Sequence, residues 1–472
     1  MENPLTVVIL AAGLGTRMKS KRAKVLHEAG GMPMVEHVVR TALEFASPAR
    51  VFVVVGNQAS EVEAALGAYG VQFVLQAEQK GTGHALLVAR ERAGTGPGPV
   101  AVLYGDAPLL TAATLSRLIE EQSSSGAAAA VLTTELRDPA GYGRIVRAPD
   151  GTVAAIVEHK AATPEQLAVR EINSGIYCFA GELMWPRLDA IGTDNPAREF
   201  YLTDIVEILR RDGHATRPVL LENSPEVLGI NTRAELAEAD RILRERKNAE
   251  LMREGVTIRK PETVTIDTAV RIGRDTVIEP FAQILGRTVI GEDCRIGACS
   301  ILRDAAVADQ AEVLPFTMVD SSQLDTAARV GPFARLRMQA HVETGAVVGN
   351  FVELKKTRLG RKSKSQHLAY LGDSTIGENA NIGAGTITCN YDGRAKHPTE
   401  IGDGAFIGSN ATLVAPLQVG AGSYVAAGSV ITDNVPEDSL ALGRSRQVVK
   451  EGWAKKRRED QEQARSAANR RE

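Results

Sequence analysis

The chain has 472 residues and a formal net charge of −3; 44% of it is apolar, 24% charged and only 4% aromatic. That length calls for two or more cores, and that balance is the profile of a soluble globular protein. A nearly neutral chain has no general attraction to nucleic acid or to anionic membranes, so neither is expected as a partner.

The 44 glycines beside so few aromatics point to tight turns and thin aliphatic layers. Cys178, Cys294, Cys299 and Cys389 are scattered, with no CxxC pair and no histidines at zinc spacing, so reduced thiols are expected rather than disulfides. The start, MENPLTVVILAAG, reads as a strand entering a glycine turn and not as a basic leader. No run of 18 or more apolar residues predicts a membrane span, and the expected compartment is the cytoplasm.

In chain order, TVVILAAG (6–13) is a continuous apolar strand, the pattern of a strand buried on both faces of a parallel sheet. A helical pattern over 34–46, a second buried strand over 50–56 and a third over 99–110 follow. This rhythm predicts a Rossmann-like α/β domain with a mostly parallel sheet over residues 1–231. Residues 232–254 read as one long amphipathic linker helix, uninterrupted by Gly or Pro.

After Gly255 a six-residue period begins, as in Ile290-Gly291-Glu292-Asp293-Cys294-Arg295 and then Ile296-Gly297-Ala298-Cys299-Ser300-Ile301. Later pairs include Ile376-Gly377, Ile382-Gly383, Ile401-Gly402 and Ile407-Gly408. Aliphatic residues pointing into a narrow prism, with small residues at its corners, predict an all-β parallel β-helix over 255–443, left-handed as in other hexapeptide repeats. KSKSQHLAYLGDST (362–375) and TCNYDGRAKHPTE (388–400) break the period and are expected to leave the coil as loops on one face. The charged tail, 444–472, reads as a solvated or frayed helix.

The first strand runs directly into Leu10-Ala11-Ala12-Gly13-Leu14-Gly15-Thr16-Arg17-Met18. Glycines let the backbone approach a phosphate; Arg17 adds a fixed cation and Lys24 a mobile one. The spacing is neither a dinucleotide fingerprint nor a Walker A loop. It closely resembles the sugar-nucleotide pyrophosphorylases, whose glycine-rich LxxGxGTRM is followed by Pro-Lys; this chain departs at Ala23, which replaces the proline. The resemblance implies catalytic roles for Arg17 and Lys24, and a UTP bed formed by Leu10, Ala11, Ala12, Gly13 and Lys24.

Other elements of that family follow in order. Gln76 to Ala85 resembles the uridine-binding segment, with Gln76, Gly81 and Thr82 in the base-contacting positions. Tyr104-Gly105-Asp106 matches the metal-aspartate motif at a strand end, where open α/β sheets place ligands. Gly143 (within Gly141-Tyr142-Gly143-Arg144), Glu158, Asn173 and Asn231 occupy positions that contact sugar and metal in those relatives. Taken singly, Asp106 fits a turn aspartate and Asn231 a helix N-cap. Together around a phosphate loop they are the implied ligands of Mg²⁺, a hard cation that bridges substrate phosphates.

Domain order, linker helix and two further signatures extend the likeness over nearly the whole chain. It resembles the bacterial bifunctional enzymes that combine N-acetylglucosamine-1-phosphate uridylyltransferase with glucosamine-1-phosphate acetyltransferase. The signatures are Gly331 to Arg337 with Asn350 to Lys356, and His367 to Asp373 with Asn381 to Gly385 and Cys389 to Gly393. The resemblance implies that Arg337, Lys355, Tyr370, Asn381 and Lys396 hold glucosamine 1-phosphate. It implies that Ala384, Asn390, Tyr391, Ser409, Ala427 and Arg444 line the acetyl-CoA groove, and that His367 is the general base.

Acyl transfer to an amine needs a base that titrates near the working pH, and histidine is the usual choice. Glu353 is positioned in the sequence to orient or tune it. The family implies a homotrimer, small-molecule substrates only, and a UDP-N-acetylglucosamine product that feeds peptidoglycan and lipopolysaccharide precursors. The competing reading is a single-activity sugar-1-phosphate nucleotidyltransferase whose β-helix only regulates or trimerises. That protein would not need the set formed by His367, Asn390, Tyr391 and Arg444.

Overall fold

The computed structural model describes residues 4–56, 58–222 and 225–468; the last four residues of the charged tail, 469–472, lie outside them. It divides into two compact units, Met1–Val289 and Ile290–Glu472.

Seven strands form the spine of the first unit: β1 (Thr6–Leu10), β2 (Val51–Val55), β3 (Gln72–Leu75), β4 (Pro99–Tyr104), β5 (Ala129–Glu135), β6 (Glu171–Ala180) and β7 (Thr216–Leu221). Their order is β7-β5-β6-β4-β1-β2-β3, with the hairpin Arg144–Arg147 and Val153–Val157 attached at β6. All neighbours on this path are parallel except β6, which runs antiparallel to both β4 and β5. Both sheet faces are covered: Val7 and Ile9 enter one apolar core, Val8 and Leu10 the other. This is why β1 lacks the alternation of a half-exposed strand.

The chain leaves β1 toward β2 on one side and returns to β4 on the other. The order therefore reverses at the β1–β4 pair, and a crevice opens beyond their carboxyl ends. Leu10 and Tyr104 are register partners at that point, so the glycine loop and Asp106 leave the sheet side by side.

The linker forms the helix Arg233–Arg253. Thr232, not Asn231, is its N-cap: its hydroxyl accepts from the Glu235 amide, and the Thr232 amide donates back to the Glu235 carboxylate. Such a cap is worth about 0.5–2 kcal/mol, and it leaves the Asn231 side chain free for other work. The helix packs on the first β-helical turns, where Asn248 Nδ2 donates to the Pro261 carbonyl (3.1 Å) and Arg244 pairs with Asp267 (2.6 Å). Those turns therefore belong to the first compact unit, which ends at Val289.

The second unit is a left-handed parallel β-helix with three faces. On its first face, Val313, Val330, Val348, Ser365, Ile382, Ile407 and Val425 follow one another in register and point inward. Ala328, Ala346, Ser363, Ala380, Ala405 and Ser423 are the buried small residues of the corners. The segment 362–375 is not a loop, as its broken period suggested. It forms the strands Lys364–His367, Tyr370–Gly372 and Ser374–Ile376, with Ser365 in an aliphatic slot of the prism. Serine is small enough for the slot but hides the repeat from a search for aliphatic residues. The other break, around 390–398, does leave the coil as a loop before the strand Thr399–Ile401. The tail forms an exposed helix, Trp453–Ala468.

Candidate functional site

A cavity of about 480 Å³ lies at the sheet reversal of the first unit. Leu10, Ala11, Ala12 and Gly13 form one wall, Gln76, Gly81 and Thr82 a second, and Tyr104, Asp106, Lys24 and Asn231 the floor. A Cβ added at Gly13 would meet no protein atom within 4 Å, so packing within the chain does not require this glycine. Gly15 is different: its φ is +61°, and a Cβ there would lie 2.5 Å from the Lys24 Cβ. This glycine lets Lys24 cross the loop and reach the floor of the cavity. Ala23, where the resemblance expects proline, already has an extended-type backbone (φ −53°, ψ 137°), so the turn before Lys24 forms without the ring.

Lys24 Nζ donates to Asp106 Oδ2 and to Asn231 Oδ1, the latter at 3.1 Å. Asp106 is buried, and its Oδ1 has no hydrogen-bond partner. Asn231 is fixed by a bond from its Nδ2 to the Gly229 carbonyl (3.0 Å). The Asp106 carbonyl accepts from the Ile230 amide (2.9 Å), which ties the two chain segments together.

The uridine-like segment is clamped by a distant strand of backbone. The Gly83 amide donates to the Phe200 carbonyl at 2.7 Å, and the Phe200 amide to the Lys80 carbonyl at 2.8 Å. Gly81 has φ +105°, and a Cβ there would come within 2.6 Å of the Phe200 oxygen. Gln76 is buried, its Nε2 bonded to the Gly81 carbonyl (3.1 Å) and to His84 Nδ1 (3.0 Å). Burial raises the Tyr104 phenol well above its ordinary pKa, so it stays a neutral donor beside this wall.

Not every expected residue lines the cavity. Gly143, Glu158 and Asn173 cluster with one another to one side: a Cβ on Gly143 would sit 3.6 Å from the Asn173 Cβ and 3.7 Å from Glu158 Oε1. Asn173 Oδ1 is occupied by the Gly175 amide and the Tyr177 hydroxyl. Burial raises the Glu158 carboxyl above its ordinary pKa. Gly105 packs under the loop with its amide on the Leu10 carbonyl, and Arg17 is exposed on a short turn. Gln79, inside the uridine-like segment, also lines the cavity, and so does Glu199, which no motif in the sequence marks. Glu199 arrives beside Phe200 from far along the chain.

In the second unit, residues far apart in sequence form a column. Asn350 and His367 are register partners, and the pairings Ser365–Ile382, Ile382–Ile407 and Ile407–Val425 place Ala384, Ser409 and Ala427 in the coils that follow. Successive coils are about 4.8 Å apart. Arg444 reaches the end of the column, its Cδ 3.9 Å from where a Gly428 Cβ would be. His367 is exposed, and its Nδ1 lies 2.8 Å from Asn350 Oδ1.

A cationic cluster occupies the adjoining face, where Arg337, Lys355 and Gly372 are stacked partners. Lys355 is buried, and its ammonium meets Asp373 at 2.6 Å; Asp373 also accepts from Asn390 Nδ2. Burial opposes the charge on Lys355, but the Asp373 carboxylate outweighs it and holds that pKa above the ordinary lysine value. Lys396, carried in by the 390–398 loop, is lowered by the neighbouring Lys355 ammonium. Lys355 thus has Asp373 as its carboxylate partner, and Arg337 has Glu353. Gly372 makes room for this: a Cβ there would lie 2.6 Å from Tyr370 Oη and 2.7 Å from Asn390 Nδ2.

Glu353 was expected to orient His367. It is instead bonded to Arg337 Nε at 2.7 Å, the diagonal partner one coil earlier on the same face. Asn381, half-buried, lies on the first face as the register partner of Lys364. Tyr391 is exposed, its hydroxyl on the Gly393 carbonyl.

Residues 7–207 match the MobA-like NTP transferase domain, and residues 269–304 and 398–433 match the bacterial transferase hexapeptide repeats. The chain is 57% identical to the bifunctional protein GlmU of Solibacter usitatus (strain Ellin6076), over 97% of this chain and 98% of that one. It is 50% identical to the bifunctional protein GlmU of Koribacter versatilis (strain Ellin345), over 96% of this chain and 97% of that one. With the same-named protein of Anaeromyxobacter sp. (strain Fw109-5) it shares 51% identity over 96% and 93%.

Proposed function

The chain belongs to the family of bifunctional GlmU proteins, and on that premise we propose how its two sites divide the making of UDP-N-acetylglucosamine. The enzyme is a transferase: it moves an acetyl group from acetyl-CoA to glucosamine 1-phosphate, and a uridylyl group from UTP to N-acetylglucosamine 1-phosphate with release of pyrophosphate.

The observation that carries the assignment of the acetyl site is the column in the second unit. His367 stands in one face of the β-helix in line with the coils that carry Ala384 and Ser409, and another face carries the stacked Arg337 and Lys355. Arg337, Lys355 and Lys396 hold the sugar phosphate, with Tyr370 and Asn381 beside the sugar. The acetyl-CoA thioester lies along Ala384, Ser409 and Ala427 toward Arg444, where small side chains leave a groove; Asn390 and Tyr391 bound it. The amine attacks the thioester carbonyl, His367 Nε2 takes the amine proton, and that proton goes to the departing CoA thiolate.

At the first site, the sugar phosphate oxygen attacks the α-phosphorus of UTP in line with pyrophosphate. The protein contributes positioning and charge neutralisation. Lys24 and Arg17 face the phosphates and the glycine loop lies against them, while Gln76, Gly81 and Thr82 read uracil. Glu158, Asn173 and Gly143 bind the sugar, with Tyr104 and Gly105 shaping the floor.

The donor set fits Mg²⁺. Asp106 Oδ1 is buried without a partner, Asn231 supplies a second hard oxygen, and the Lys24 ammonium already bridges the two residues as a cation would. Asp106 and Asn231 would hold the ion, which supplies charge neutralisation at the phosphates. No helix among the described residues is long and apolar enough to cross a membrane, and we place both reactions in the cytoplasm.

We further propose a homotrimer. Phe316, Phe333 and Phe351 stack along one corner of the β-helix with ring centroids 5.1 and 5.3 Å apart, and all three are about half exposed. An exposed apolar ladder beside His367 is suited to a neighbouring copy. Light scattering reads the subunit number directly. The deciding assay for the chemistry combines the enzyme with glucosamine 1-phosphate, acetyl-CoA, UTP and Mg²⁺. UDP-N-acetylglucosamine must form, and omitting acetyl-CoA or UTP must abolish it.

A further inference from the structure

The contact between Asn350 and His367 has a structural cause. Gly349 leaves no room for a side chain: a Cβ there would sit 1.9 Å from the Gln366 carbonyl oxygen in the next coil. This close approach brings Asn350 against its register partner His367, with the amide Oδ1 2.8 Å from the ring Nδ1. An amide oxygen carries no proton, so the ring nitrogen is the donor in this bond. A neutral imidazole with its proton on Nδ1 keeps its lone pair on Nε2. In the following coil the neighbour is Ala384, as the Ser365–Ile382 pairing and the Gly385 amide on the His367 carbonyl place it. Neither neighbour along the column is ionisable.

We infer that Asn350 is a positioning residue for acetyl transfer: its amide oxygen fixes the orientation and the Nδ1–H tautomer of His367 and leaves Nε2 to take the proton of the attacking amine. This rests on the reading of His367 as the general base. An amide suits the task better than a carboxylate would. It orients the ring without adding a negative charge, which would hold the ring as imidazolium and keep it from accepting the substrate proton.

Acetyl transfer by the full-length enzyme, measured with glucosamine 1-phosphate and acetyl-CoA across pH, tests the inference. Asn350→Ala should lower kcat by roughly tenfold to a hundredfold, less than the roughly 10²–10⁴-fold cost of losing the base itself, with KM for both substrates nearly unchanged. Asn350→Asp should move the acidic limb of the kcat/KM profile to higher pH, because a carboxylate against Nδ1 stabilises imidazolium and the base becomes free only at higher pH. Thermal unfolding midpoints control for folding, and if the alanine variant does not fold, the aspartate profile decides alone. A wild-type kcat in Asn350→Ala, or an unmoved limb in Asn350→Asp, reduces Asn350 to a ladder residue. The premise is tested separately by His367→Ala: if that variant keeps full acetyl transfer, the reading of the base fails.

Discussion

Lys24 spans Asp106 and Asn231, which lie 82 and 207 residues away along the chain, and its ammonium bonds to an oxygen of each. One positive charge thus joins the glycine loop, the end of β4 and the approach to the linker helix. Asp106 Oδ1 remains buried and without a partner beside it.

If Asp106 holds a divalent cation, Asp106→Asn should depress uridylyl transfer by about 10²–10³-fold, the scale for losing one preorganised electrostatic contact. Acetyl transfer should persist. Initial rates at limiting Mg²⁺ check this, and near wild-type uridylyl transfer there would remove Asp106 from the metal site.

Lys24→Met should separate two effects of one side chain. Without its ammonium the Asp106 carboxylate is left unneutralised, so Mn²⁺ should bind the nucleotide-free protein more tightly by calorimetry. Uridylyl transfer should nevertheless fall, because the same ammonium serves the phosphates of UTP. Unchanged Mn²⁺ affinity would mean that lysine and metal do not share these oxygens.

Base choice should favour UTP. Gln76 is bonded to the Gly81 carbonyl, and the flanking Lys80 and Gly83 are bonded to the Phe200 backbone, which makes this wall rigid. A rigid wall that bonds a base edge rejects analogues that leave its polar groups unpaired. Comparable kcat/KM for ATP and UTP would reassign the nucleotide.

The two half-reactions should be separable by mutation. His367→Ala should lose about 10²–10⁴-fold in acetyl transfer while uridylyl transfer from supplied N-acetylglucosamine 1-phosphate stays nearly unchanged. Lys24→Ala should do the reverse. Both reactions are assayed on both variants; if each substitution depressed both alike, one shared site or a folding defect would replace the two-site account.

The Lys355–Asp373 pair should dominate the acid stability of the β-helix around it. Burial opposes the Asp373 charge, but bonds from Lys355 and Asn390 hold its carboxyl below the ordinary value. A depressed carboxyl stabilises the fold at pH above its unfolded pKa, and that contribution is lost as pH falls through the folded one. Asp373→Ala leaves Lys355 buried and unpaired, a change that costs about 3–5 kcal/mol in comparable pairs. The β-helix unfolding midpoint should drop at neutral pH and lose part of its dependence on acid. A midpoint equal to wild type would show the pair to be dispensable.

By itself the amino-acid sequence determined the periodic parts of this protein. Buried parallel strands, the uninterrupted linker helix and the aliphatic hexads each repeat within a few residues, and the residues expected at the nucleotide cavity were named from contiguous motifs. What only the tertiary structure decided concerns partners. Thr232 rather than Asn231 caps the linker helix, Ser365 fills an aliphatic slot, Glu353 bonds to Arg337 and not to His367, and Glu199 joins a cavity wall from another segment. In a β-helix each outward side chain meets residues about one coil away in the chain, so short-range patterns can report which face a residue occupies but not which neighbour it bonds. Choices between neighbours are settled by register, by the room that glycines such as Gly349 and Gly372 leave, and by which buried charge most needs a partner.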